Sequence, residues 1–199
     1  MQRLTGILLT TAAMGTVVAG ATPLAGAVTA GGANNVVLVN NTVDGATASR
    51  SHLAVAYDPA DTVANQNIAS ATGNDCNGCR TVAVAMQLVV VEGSPSTFVP
   101  ANAAVAANGS CTNCQTFSFA YQYVVQPGRV VYLGATAQQQ LLTLRQQADA
   151  IASSNESYDD MKVELDTVFG QFVQVVNDNM QAAGASSNGT TYTASNLAS

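Results

Sequence analysis

Cys76-Asn77-Gly78-Cys79-Arg80-Thr81-Val82-Ala83-Val84-Ala85-Met86-Gln87-Leu88-Val89-Val90 is the stretch from which the architecture is read. A C-x-x-C opens it and a two-residue period follows. Val82, Val84, Met86, Leu88 and Val90 share one side, while Thr81, Ala83, Ala85 and Gln87 share the other. That period belongs to a β-strand. One apolar side and one small or polar side predict a sheet packed on one face and lightly covered or wet on the other.

The stretch recurs 35 residues on, where Cys111-Thr112-Asn113-Cys114-Gln115-Thr116 falls under Cys76 to Thr81. Asn67, Ala69 and Ala71 match Asn102, Ala104 and Ala106 upstream, and Ala85, Gln87, Val89, Val90 and Gly93 match Ala120, Gln122, Val124, Val125 and Gly128 downstream. Eleven identities in the 27 positions from Asn67 to Gly93 mark an internal repeat. In the second copy the apolar side is Phe117, Phe119, Tyr121, Tyr123 and Val125. This aromatic row is expected to be core, with a ligand groove as its alternative. A weaker copy without cysteines runs from Asn35 to Asp58. Gly73-Asn74-Asp75 and Asn108-Gly109-Ser110 are turn formers between strand-like runs, so each repeat is expected to be a β-hairpin with the C-x-x-C at its tip. A further strand is expected at Arg129 to Leu133.

After Gly134 the period becomes helical. Thr136 with Gln139 forms a capping-box start, and Leu141, Leu144, Ala148 and Ile151 recur at spacings of three and four. A second helix is expected from near Ser157, paired with Asp160, through Met161, Leu165, Phe169, Phe172, Val176 and Met180. The short link from Ala152 to Glu156 makes the pair an antiparallel helical hairpin. Residues 184–199 are mostly small and polar without periodicity and are expected to be a disordered tail. The predicted fold class is therefore α+β: an antiparallel sheet of repeated β-hairpins carrying CxxC turns, packed on a C-terminal helical hairpin. The expected organisation is a signal peptide at 1–30, a β-hairpin repeat region at 31–134, the helical hairpin at 135–183 and the tail.

The expected signal peptide rests on Arg3, the apolar run from Leu4 to Val18, the breakers Gly20 and Pro23, and small-residue cleavage sites ending at Ala27 or Ala30. The run is too rich in Gly, Ala and Thr to read as a membrane span. A secreted or envelope-associated protein is expected, with no membrane attachment after cleavage and an unidentified protein or envelope partner. In the whole chain six Lys and Arg stand against twelve Asp and Glu, a formal net charge of −6. That balance lacks the electrostatic footprint of a nucleic-acid binder.

The pattern C-x-x-C-[RQ]-T-x-x-x-A-x-Q-x-V-V, doubled and followed by a helical pair, resembles a group of secreted bacterial CxxC-repeat proteins of uncharacterised function. Similar segments also occur joined to peptide zinc metalloproteases. The resemblance spans roughly residues 34 to 180 and implies export and this architecture, with no activity. H-E-x-x-H is absent, and the single histidine, His52, cannot alone hold a catalytic zinc.

Four chemistries fit Cys76, Cys79, Cys111 and Cys114. Structural disulfides come first in an exported domain, and local pairs are favoured over cross-links because the repeat lets each hairpin carry its own. A four-thiolate zinc site fits C-x2-C…C-x2-C, although the 31 intervening residues exceed a usual ribbon. A thiol-disulfide exchange centre normally has its first thiolate at a helix N-terminus. Here a strand follows, although Arg80 beside Cys79 offers one thiol a positive neighbour. Pairing with another chain ranks last in an even count. No catalytic residue, cofactor or bound metal is assigned: His52 is expected to be an edge histidine, and Glu156, Asp159, Asp160, Glu164 and Asp166 to be a solvated face favoured by the helix dipole. The expected function is a non-catalytic structural or interaction domain stapled by its CxxC disulfides. An extracytoplasmic thiol-disulfide oxidoreductase and a structural four-cysteine zinc module are the alternatives.

Overall fold

The computed structural model describes residues 34–59, 61–186 and 188–199. The signal peptide expected at 1–30 lies outside them. The described chain is α+β, and its strands follow the repeat: β1 Asn35–Asn41, β2 Thr47–Asp58 and β3 Thr62–Val63, then β4 Gln66–Asn74, β5 Arg80–Val91 and β6 Thr97–Phe98, then β7 Ala101–Gly109 and β8 Gln115–Val125. Helices α1 Ala135–Ala152 and α2 Tyr158–Ala182 come next, and β9 Gly189–Ala198 closes the chain.

The strands of one repeat do not pair with each other. Each pairs in parallel with its counterpart in the next repeat, in the orders β1-β4-β7, β2-β5-β8 and β3-β6. The expected antiparallel hairpins are thus corrected to stacked coils. Turn chemistry shows that the chain bends at the CxxC, but leaves open whether the two arms bond to each other or each to a neighbouring coil. Register decides it here: Asn67 lies opposite Asn102, and Ala85 and Gln87 lie opposite Ala120 and Gln122, so repeat-equivalent residues stack directly. In the weaker copy Asn35 lies opposite Asn67 and Thr47 opposite Arg80.

The two main sheets face each other, and the helices cover the outer side of β2-β5-β8. Val82, Val84, Met86, Leu88 and Val90 join Phe117, Phe119, Tyr121, Tyr123 and Val125 in one core with Leu141, Leu144, Leu165, Phe169, Phe172, Val176 and Met180. The aromatic row is core. The other face of β5 is not wet, because every residue of that strand is buried. Ala83, Ala85 and Ala120 meet Val37, Ala69 and Ala71 of the opposing sheet. Strands buried on both faces are the usual state of parallel sheets, and small side chains allow the two sheets to approach closely.

The helical hairpin forms as expected, with a different first cap. Gly134, not Thr136, is the N-cap of α1, and the Gly134 amide donates to Asn179 Oδ1 at 2.9 Å. Ser157 caps α2 by accepting from the Asp160 amide at 3.2 Å. Arg129 to Leu133 is not a strand, since the free edge of β8 is taken by β9, antiparallel, with Thr116 opposite Ala198 and Val125 opposite Gly189. The tail expected to be disordered therefore supplies a strand over Gly189–Ala198. Composition misses it because its side chains are largely exposed and its order comes from backbone pairing on an existing edge.

Candidate functional site

Two CxxC corners lie one above the other where β4 turns into β5 and β7 turns into β8. Both need left-handed backbone at equivalent places, namely Asp75 and Ser110 (φ 50° each) and Gly78 and Asn113 (φ 65° and 54°). Asn, Asp and Gly tolerate this region best, which explains the polar composition of the turns. The Gly78 amide donates to Thr112 O at 2.8 Å and the Asp75 amide to Gly109 O at 3.0 Å, so one corner is hydrogen-bonded to the next. The corner of the first coil covers the other side: Asn41 Nδ2 donates to Ala46 O and Arg80 O, and Asp44 Oδ1 accepts from the Asn77 amide at 2.7 Å.

Cys76 is bonded to Cys79 and Cys111 to Cys114, with Cα separations of 6.1 and 5.9 Å. This is the local pairing expected from the repeat. Cys76, Cys79 and Cys114 are buried and Cys111 is partly exposed. Stacking brings the two bonds into contact, with sulfur separations of 2.9 Å for Cys79 to Cys114, 3.4 Å for Cys76 to Cys111, 3.4 Å for Cys79 to Cys111 and 3.8 Å for Cys76 to Cys114. Gly73 leaves the room for this, since a Cβ there would meet Cys79 Sγ at 3.3 Å and Asn108 Oδ1 at 3.0 Å.

Arg80 does not serve the sulfurs. Its guanidinium lies 4.6 Å from the Phe117 ring centroid, donates to Gln115 Oε1 and to Glu156 O, and reaches Met161 Sδ at 3.0 Å. It ties the CxxC strand to the start of α2. Burial lowers its pKa, and Glu156 opposes the shift.

His52 is half-buried on the edge strand β2, where Asn35 Oδ1 accepts from Nδ1 at 2.7 Å. Because the Asn35 Nδ2 atom already donates to Asn67 Oδ1 and Met86 O, its oxygen is the acceptor and His52 carries its proton on Nδ1. Burial pulls the His52 pKa below its ordinary value, followed by the charges of Arg145 and Arg50, while Asp149 opposes them. Of the acidic group on α2, Asp160 joins the cap, and Asp166 accepts from Tyr121 Oη at 2.9 Å and from Lys162 at 2.6 Å. Burial, then the bond to Asp166, pushes the Tyr121 pKa upward, so the phenol stays protonated.

Sequence reasoning passed over the polar residues inside the stack. Asn35 donates to Asn67 and Asn67 to Asn102, a file of carboxamides along the coil axis. Each also donates to the inner sheet: Asn67 to Ala85 O and Tyr121 O, and Asn102 to Ala120 O. Gln122 Nε2 donates to Gln87 Oε1 at 2.8 Å in a second buried file. Part of the signal was present as identical polar residues at the 35-residue offset, Asn67 with Asn102 and Gln87 with Gln122, whereas Asn35 precedes Asn67 by 32. A separate groove of about 330 Å³ lies between β2 and α1, lined by Leu53, Val55, Tyr57, Leu133, Leu141 and Leu142, with Gln138 and Arg145 at its polar margin.

Together the fold and the corner define a coil of stacked parallel strands stapled at one edge by two touching disulfides. No family model, curated protein or solved structure matches the chain.

Proposed function

We propose that the chain is an exported, non-catalytic structural or interaction domain whose CxxC disulfides hold consecutive coils in register. The observation that carries this is the pairing of all four cysteines into two stacked bonds, three of their residues buried and Cys111 partly so, at the corner where the coils meet. Bonds of this kind persist in oxidising compartments, in keeping with the N-terminal pattern of Arg3, an apolar run and small-residue cleavage sites. The resemblance to secreted bacterial CxxC-repeat proteins points the same way. A protein or envelope component is the partner class this reading implies. No helix among the described residues is long and apolar enough to cross a membrane.

A second reading, thiol-disulfide exchange, is favoured by one observation: the 2.9 Å approach of Cys79 and Cys114 sulfurs from different bonds. Against it, each CxxC leads into a strand and lacks the helix N-terminus that stabilises an attacking thiolate. The double variant Cys76→Ser with Cys79→Ser separates the two. The structural reading predicts a loss of about 2 kcal/mol of stability, the scale of a small closed loop, with no change in reduction of a test disulfide. An unchanged melting temperature together with loss of a measurable exchange activity overturns it.

A further inference from the structure

Four sulfurs from two coils lie within 4.8 Å of one another, three of their residues buried and the fourth partly so. A tetrahedral zinc with bonds of about 2.3 Å places its sulfurs about 3.8 Å apart. Of the four separations between coils, 3.8, 3.4, 3.4 and 2.9 Å, one already matches that length, two fall about 0.4 Å short and the Cys79–Cys114 pair falls about 0.9 Å short. The largest opening is the single sulfur–sulfur separation within each CxxC, and Cα atoms 6.1 and 5.9 Å apart leave room for it. Hydrogen bonds from Gly78 to Thr112 and from Asp75 to Gly109 already hold the two corners against each other.

We propose that the reduced chain binds one zinc-class divalent cation at Cys76, Cys79, Cys111 and Cys114, so that this corner is held by disulfides when oxidised and by metal when reduced. The chemistry balances with a dithiol as reductant. Two dithiol molecules each give two electrons and two protons to one protein disulfide and close their own disulfide, leaving four cysteine thiols. The cation then forms four metal–sulfur bonds as the four thiol protons pass to water. Thiolates select soft or borderline cations over calcium and magnesium, and four protein ligands leave no open position, so the metal is structural. The inference rests on the sulfur geometry alone and stands or falls independently of export.

The test uses the full chain, reduced with excess dithiothreitol, desalted without oxygen and titrated with Co2+ as the spectroscopic probe. The expected result is sulfur-to-cobalt charge-transfer absorption with tetrahedral ligand-field bands, saturating at one cobalt per chain and abolished by Zn2+. Cys111→Ser, which removes the most exposed ligand, should weaken cobalt binding about tenfold or more and change the ligand-field bands. If reduction unfolds the chain, cobalt should restore the β-sheet circular dichroism. Absence of thiolate–cobalt bands, saturation at one cobalt per two chains, failure of cobalt to restore a lost fold, or unchanged binding in Cys111→Ser overturns the proposal.

Discussion

Asn67 shows how a single side chain fixes the stacking. It is fully buried and bonded to Asn35, Asn102 and two carbonyls of the inner sheet, its two amide hydrogens shared among three acceptors. Asn67→Ala removes the bonds to Asn102, Ala85 O and Tyr121 O, while Asn35 keeps Met86 O as its acceptor; a buried polar group that loses its partner costs about 1–3 kcal/mol. The expected outcome is a loss of at least about 2 kcal/mol in urea unfolding, larger than for Asn40→Ala on the exposed side of the same sheet. His52 sets a pH response. Its native pKa lies below the unfolded value of 6.5, so the unfolded chain takes up the proton first and stability falls with decreasing pH. Stability from this group is complete above about pH 6.5 and is lost as pH falls to the depressed native value. His52→Gln should remove that portion of the slope in thermal melts between pH 7 and 5, a range chosen to bracket about 6.5; an unchanged slope contradicts it.

At the scale of elements, β5 is the strand on which both cores depend. Its large residues pack beneath the helices and its alanines against the opposing sheet. Ala85→Leu would force extra volume between two sheets held apart by small side chains, with an expected cost of about 1–3 kcal/mol or more, whereas Met86→Leu on the helix side should cost under about 1.5. Chemical denaturation of the two variants checks the contrast, and equal effects would contradict the two-faced burial. The alternation in Val82 to Val90 made β5 and β8 legible as strands, and spacings of three and four did the same for the helices. Strand direction was not legible from alternation, which describes faces and is silent on neighbours. The alanine-rich side looked wet because alanine and threonine carry little hydrophobic signal, yet small size is what close sheet packing needs. The last strand, β9, was illegible because its order comes from pairing with β8 and not from a buried face of its own.

For the whole molecule, the repeat is both the clearest sequence feature and the physical basis of the fold. Between the second and third coils a 35-residue offset places Asn over Asn, Gln over Gln and Cys over Cys, and each coil serves as the template for the next. The CxxC positions were legible as a pair of local staples. Their contact was not, because hairpin tips need not meet whereas stacked corners must. The most direct measurement is disulfide mapping by non-reducing peptide mass spectrometry of the protein recovered from outside the cell, with thiols alkylated at harvest. The stacked local pairing predicts two linkages, Cys76 to Cys79 and Cys111 to Cys114, and no alkylated cysteine before reduction. Free thiols, or linkages joining Cys76 to Cys111 and Cys79 to Cys114, would contradict it.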